Sequence, residues 1–358
     1  VEEKDPNIIV MVGDAPLINY GTIQSLMNAH MTSKSTLTIL TGTGTISKDM
    51  GRIERNSSGH IQRIIEASDD FHISDIKEVN SGIYCFDSAW MWQALRKLTP
   101  QESGEYHLTE LVNMAVSDNR KIESFVSTDD AEVMGVNDRV QLSCAEAIIR
   151  HNIREYWMKQ GVTIVDPSST FIDASVIMDI DTTIHPNSSI LGNTQIGQGS
   201  ILGPGIMITD SVIGQRCRLV SSVIESSTLE ADISVGPYSH LRPGTYVESK
   251  VHIGNFAEIK ASRLGMGVKM GHFGFVGDAT VGPNANLGAG MVTCNFDGVS
   301  KHTTEIGENA FIGSDTMLVA PVKIGRHAST GAGSVVTKDV PAYRLAKGVP
   351  ARINERPK

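Results

Sequence analysis

The chain has 358 residues, long for one domain and ample for two, each with its own core. A net charge of −9 at pH 7 gives no broad attraction for nucleic acid or an anionic membrane surface, so any basic site must be local. The four cysteines (Cys85, Cys144, Cys217, Cys294) form no C-x-x-C pair, which favours reduced thiols in the cytoplasm over a disulfide frame or a structural zinc site. No apolar run approaches the ~18 residues of a membrane-spanning helix. The opening VEEKDPN has neither the basic start nor the apolar stretch of a signal peptide, so a soluble, cytoplasmic protein is expected.

From Val1 to about Gly135, short β-rich runs alternate with helical ones: NIIVMVGD, TIQSLMNAH, TLTILTGTGT, VNSGIYCFD and then SAWMWQALRKL. Aliphatic runs that end in Gly or Asp and pass into helical periodicity predict a sheet covered by helices, with ligand loops at the carboxyl strand ends. The next stretch, NDRVQLSCAEAIIRHNIREYWMKQ, has apolar residues at helical spacing and stops at Gly161. The expected organisation is an α/β, Rossmann-like domain over 1–136, a linking helix over 137–161, and a third zone over 162–358.

In that last zone helical patterns vanish and a period of six appears. Aliphatic residues recur at Val235, Leu241, Val247, Ile253 and Ile259, at Leu264, Met270 and Val276, and at Ile306, Ile312, Leu318 and Ile324, many followed by Gly. Such hexapeptide repeats build a parallel β-helix with three faces per coil, each face contributing one inward aliphatic residue and a small residue turning the corner. The step fails once, between Leu287 and Ile306, where GAGMVTCNFDGVSKHTTE predicts an excursion loop carrying Asn295, Asp297 and Lys301. Arg242 and Lys260, eighteen residues apart, are expected to stack on one face.

LRPG, VHIGNFAEIK, GHFGFVGDA, NLGAGMVTCNFDG, FIGSDTMLVAPVKIG and GAGSVVTKDV closely resemble the left-handed β-helix half of the bifunctional N-acetylglucosamine-1-phosphate uridyltransferase / glucosamine-1-phosphate N-acetyltransferase family. GDAPLI, GRI, the glutamate of IIEASDD, EVNSGIY and GVNDR resemble its nucleotidyltransferase domain, so the resemblance covers nearly the whole chain. It implies acetyl transfer from acetyl-CoA to the amine of glucosamine 1-phosphate, then uridylyl transfer from UTP with Mg²⁺, toward UDP-N-acetylglucosamine for peptidoglycan and cell-wall synthesis. The family's Gly-rich nucleotide loop, with its Arg and Lys, is expected to lie before Val1. Without it the nucleotidyltransferase domain is incomplete and uridylyl transfer is expected to fail in this chain.

The resemblance implies roles residue by residue. Arg242 and Lys260 hold the sugar phosphate; His272 is the general base; Glu258 orients its imidazole. Asn286, Asn295 and Lys301 bind substrate, with Phe275 where the family has a tyrosine and Phe296 replacing another. Ala289, Ser314 and Ala332 contact the acetyl-CoA arm, while Lys347 and Arg352 are the basic residues available near the carboxyl end for CoA phosphates. In the first half Asp14 and Asn137 bind the metal, and Gly51, Glu66, Asn80 and Asn137 contact the sugar nucleotide. A homotrimer with active sites shared between copies is expected.

The residues alone agree with that chemistry. An amine attacks a thioester only when deprotonated, and a histidine is the side chain suited to take its proton near neutral pH. Hard oxygen ligands beside a diphosphate suit Mg²⁺. Three other readings stay open: a sugar-1-phosphate nucleotidyltransferase whose β-helix is structural or regulatory, a β-helix carbonic anhydrase drawing zinc ligands from His240, His252, His272, His302 and His327, and a non-catalytic scaffold.

Overall fold

A computed structural model of the chain describes residues 5–43, 50–66, 76–101 and 104–355. The chain divides into two compact units, Val1–Ile149 and Arg150–Lys358. Among the described residues no helix is long and apolar enough to cross a membrane.

The first unit is a sheet with helices packed on it. Its strands are β1 (Asn7–Val10), β2 (Leu37–Gly42), β3 (Arg52–Arg55), β4 (Ile61–Ile65), β5 (Val79–Asp87) and β6 (Ile122–Val126), in the order β4-β3-β5-β2-β6 with β1 antiparallel to β5. The helices are α1 (Tyr20–Ser33), α2 (Ser88–Leu95) and α3 (Glu110–Ser117). Side chains start two of them: Asn19 accepts from the Thr22 amide at α1, and Asp87 accepts from the Trp90 amide at α2. All six residues of β2, LTILTG, are buried, as a central strand covered on both faces requires. Leu37, Ile39, Phe86, Trp90 and Leu111 form the main core of this unit.

Helix α4 runs from Arg139 to Lys159. Asp138 takes the Gln141 amide at 2.8 Å while the Gln141 side chain takes the Asn137 amide at 2.6 Å, a reciprocal cap that starts the helix where polar sequence gives way to helical spacing. Gly161, at φ 90°, ends the turn that follows. Ile153 and Trp157 from its second half pack on the core of the second unit.

The second unit is a parallel β-solenoid of three sheets with twelve, ten and nine strands. Every aliphatic residue of the six-residue pattern points inward, from Val235 and Leu241 through Ile312 and Ile324, none above 2% exposed. Each buried Val, Leu or Ile contributes about 1.5 to 3 kcal/mol, so the column supplies its own stability. Strand partners lie 18, 17 or 16 residues apart, as with Leu241 and Ile259, His252 and Lys269, and Arg218 and Ser234. Corners are tight enough to demand glycine in places: a Cβ on Gly254 would fall 1.9 Å from the Gly271 carbonyl oxygen.

One coil is longer, with Asn286 partnered by Phe311 and Val292 by Met317. The excursion is narrower than the break in period implies, because Val292–Cys294 still forms a strand stacked on the coil below. The chain leaves the solenoid at Asn295 and rejoins it at Thr304–Ile306.

Candidate functional site

Arg242 directly follows Leu241 and Lys260 directly follows Ile259, and Leu241 and Ile259 are strand partners. The two cations therefore stand one above the other at the edge of the ten-stranded sheet. One coil higher that position is Gly277. A Cβ there would lie 2.6 Å from the Phe275 ring and 2.8 Å from Asn295 Nδ2, so glycine makes room for both side chains.

The excursion loop brings in a third cation. Phe296 bridges antiparallel to Lys301, and Lys301 lies against Lys260. Contact with Lys301, and next the charge of Arg242, holds the Lys260 ammonium below its usual value of 10.5, with Asp278 opposing. Asp278 also accepts from Asn295 Nδ2. Arg242, Lys260 and Lys301 thus outnumber the two carboxylates among them, Glu258 and Asp278, and the surface suits a phosphate monoester.

Glu258 does not orient His272 here. Its Oε1 accepts from Arg242 Nη1 at 2.7 Å, and it shares a column with His240 and Phe275 on the open face of the sheet. His272 sits three residues before Phe275, about 10 Å of chain away and around a corner. Sequence spacing could not reveal which of two nearby groups the carboxylate would take.

His272 is exposed and makes no side-chain hydrogen bond among the described residues. It lies three residues after Lys269 and three before Phe275; Ala289, Ser314 and Ala332 hold the same place on the next three coils. These four residues form one line up a corner of the solenoid. Backbone bonds stitch it together: Gly290 N–H to Phe273 O at 2.7 Å, Asp315 N–H to Ala289 O at 2.7 Å, and Gly333 N–H to Ser314 O at 2.8 Å. With coils about 4.8 Å apart the line is about 14 Å long. The three positions above the histidine all carry small side chains. Lys347 backs onto Gly331, the neighbour of Ala332, and Arg352 pairs with Lys347 across the last hairpin, so both stand at the upper end of this line.

Asn286 is not gathered with the cations in one chain. It faces outward on the twelve-stranded sheet, between Lys269 and Phe311. The other histidines are dispersed as well: His240 pairs with Glu225 at 2.6 Å, His252 with Ser234 at 2.7 Å and His302 with Asp297 at 2.7 Å, while His327 stacks on Tyr343. Among the described residues no group of three or more His, Cys, Asp or Glu is placed to hold a metal.

In the first unit a cleft of about 360 Å³ is lined by Val10, Val12, Glu66, Asn80, Tyr84 and Thr109 among others. Gly51 O accepts from the Asn80 amide at 2.9 Å, and a Cβ on Gly51 would lie 3.4 Å from Glu66 Oε2. Glu66 Oε1 accepts from Thr109 at 2.7 Å and Asn80 Nδ2 donates to Tyr84 at 2.8 Å, two supports that the sequence pattern did not single out. Burial pushes the Tyr84 hydroxyl up, so it stays protonated. The Val136 amide donates to the Asp14 carbonyl at 2.9 Å, which brings the stretch before Asn137 to Asp14.

The chain matches two family models, Nucleotidyl transferase over residues 1–162 and Bacterial transferase hexapeptide (six repeats) over 303–338. It is 43% identical over 348 residues to the bifunctional protein GlmU of Heliobacterium modesticaldum, covering 97% of this chain and 76% of that protein. It is 42% identical to bifunctional protein GlmU of Pelobacter propionicus and 40% identical to that of Streptococcus agalactiae, each over 350 residues with the same coverage.

Proposed function

The chain belongs to the bifunctional GlmU family of glucosamine-1-phosphate acetyltransferases and N-acetylglucosamine-1-phosphate uridyltransferases, and we propose that its acetyl transfer runs along the solenoid corner headed by His272. Arg242, Lys260 and Lys301 bind the sugar phosphate, and Asn295 and Phe275 flank the sugar. The observation that carries this reading is the meeting of three cations at one edge of the ten-stranded sheet, whose other edge is bordered by the line of small residues that begins at His272.

The pantetheine arm of acetyl-CoA lies over Ala289, Ser314 and Ala332, and Lys347 with Arg352 meets its phosphates. The sugar amine attacks the thioester carbonyl; the C–N bond forms, the C–S bond breaks, and His272 takes the amine proton that the leaving thiolate later accepts. Glu258 acts on Arg242, fixing the guanidinium for phosphate. Phe275 and Phe296 supply no phenolic hydrogen bond, which costs sugar-phosphate affinity about 1 to 3 kcal/mol if the partner is charged.

Asn286 stands on another face, so a site using both Asn286 and the cations is completed by a second copy. This favours a homotrimer with shared sites. In the first unit Asp14 and Asn137 hold Mg²⁺, which when bound neutralises phosphate charge, while Gly51, Glu66 and Asn80 orient the sugar nucleotide. Substrates of this kind place the enzyme in the cytoplasm.

The test measures thiol release from acetyl-CoA with glucosamine 1-phosphate, and separately uridylyl transfer with UTP and Mg²⁺. Mixing N286A with K260A chains restores part of the acetyl transfer if sites are shared; a light-scattering monomer with full activity overturns the shared site.

A further inference from the structure

We propose that Asp297 is a positioning residue for Lys301, locking the excursion loop so that a second ammonium is held against Lys260. The inference rests on Lys301 being a phosphate ligand. Two ammonium groups and a guanidinium side by side repel one another, so Lys301 does not come to Lys260 through charge. Something in the loop must keep it there.

The loop core is a single carboxylate. Asp297 Oδ1 accepts from the Val299 amide at 2.8 Å and the Ser300 amide at 2.7 Å, and Oδ2 pairs with His302 Nε2 at 2.7 Å. These bonds, the Ser300 amide first and His302 next, hold the Asp297 carboxyl far below the usual carboxylate range. Lys301 stands between the two residues that Asp297 grips, Ser300 and His302. The loop has little else to hold it: Val299 is 88% exposed and Phe296 is 59% exposed. Its other ties lie at the loop neck: the Phe296–Lys301 bridge, the Asp297 amide to Ser300 O at 3.2 Å, the His302 amide to Asn295 O at 2.7 Å, and the Asn295 side chain donating to the Asp278 carboxylate.

Without the Asp297 carboxylate, two amides and an imidazole lose their acceptor at once, and repulsion from Lys260 is no longer opposed. Lys301 then swings toward solvent and the sugar phosphate loses one of three cations. His302 contributes from the other side of Lys301, so it supports the same lock. Neither residue touches the reacting atoms.

The experiment is a double-mutant cycle on the whole chain with D297A, K301A and the pair, reading KM and kcat for glucosamine 1-phosphate and KM for acetyl-CoA. D297A raises KM for the sugar phosphate about 10-fold, close to the effect of K301A, with kcat within about threefold and KM for acetyl-CoA unchanged. The double variant is no worse than K301A alone, and D297N, which keeps an acceptor oxygen for the two amides, falls between D297A and the parent. Inorganic phosphate weakens as a competitive inhibitor in parallel. Additive effects, or a D297A that lowers kcat at unchanged KM, overturn the lock. A K301A variant with normal KM overturns the phosphate reading and the lock together, whereas a defective K301A beside a normal D297A overturns the lock alone.

Discussion

Replacing His272 with alanine separates chemistry from binding more sharply than any other change at the site. The ring is exposed and carries no side-chain hydrogen bond among the described residues, so its loss leaves fold stability within about 0.5 kcal/mol. The small-residue line proposed to take the acetyl-CoA arm continues from Ala289 upward, and the cations lie across the sheet, so on that reading neither ligand loses a contact that holds it in the ground state. The cost therefore falls on the step in which the amine loses its proton, about 10²- to 10⁴-fold in kcat, or roughly 3 to 5.5 kcal/mol of barrier. The assay follows thiol release with a thiol-reactive dye, at saturating acetyl-CoA and across pH. The variant's deficit shrinks as pH rises, because bulk solvent increasingly supplies the deprotonated amine. A variant within a few-fold of the parent at neutral pH refutes the role of His272, and one with raised KM for acetyl-CoA and unchanged kcat moves the residue from base to ligand contact.

Two further outcomes follow from the site's charges and from the first unit. Lys260 binds its proton less tightly in the folded chain than in the unfolded one, so the mutual repulsion with Lys301 and Arg242 is relieved as pH climbs through its lowered value. Phosphate binding needs that proton, so KM for glucosamine 1-phosphate rises on the alkaline side beginning below pH 10.5, and in K301A the rise shifts to higher pH; pH-dependent KM measurements that show no such shift refute the coupling. In the first unit, tested in a chain preceded by the family's Gly-rich loop, D14A lowers Mg²⁺-dependent uridylyl transfer by at least about 100-fold with acetyl transfer unchanged. A Mg²⁺ titration of both activities checks this, and equal loss of the two would show damage to folding instead.

The inner surface of the second unit was legible because burial leaves little choice. A solenoid coil fills its axis with one inward side chain per face, and Leu241, Ile253 and Ile259 are apolar because a polar group there must find a partner inside the coil, as Thr293 and Thr330 do by accepting from the Gly277 and Gly313 amides. Coil length was not legible from that period. Val212 and Thr228 are strand partners only 16 residues apart, whereas Thr183 and Ile201 are 18 apart, because a coil loses residues at its corners, where side chains face solvent and the pattern carries no constraint. In the first unit β2 was legible for the same reason as the solenoid axis, since LTILTG is buried throughout.

The candidate site residues lie on the surface that the period leaves unconstrained, which is why only resemblance could name them and only geometry shows their partners. The spacing of Arg242 and Lys260 puts them in register, but whether Glu258 turns toward the histidine or the arginine depends on where its column stands relative to the corner, and it takes the arginine. Lys301 lies where the second unit's repeat is interrupted, and its position there is set by local capping and not by coil stacking. Asp297 followed by Gly298 was a turn signal readable in the sequence, and it is the Asp297 carboxylate that fixes the turn, yet only the folded loop shows that the turn delivers an ammonium to Lys260. Asn286 marks the remaining limit: the repeat puts it on the outward face of the twelve-stranded sheet, apart from the cations on the ten-stranded sheet, and its spacing from them in sequence does not show this. A repeat therefore specifies its own interior residue by residue, whereas its active surface is specified by departures from the repeat and by the neighbour that each departure faces.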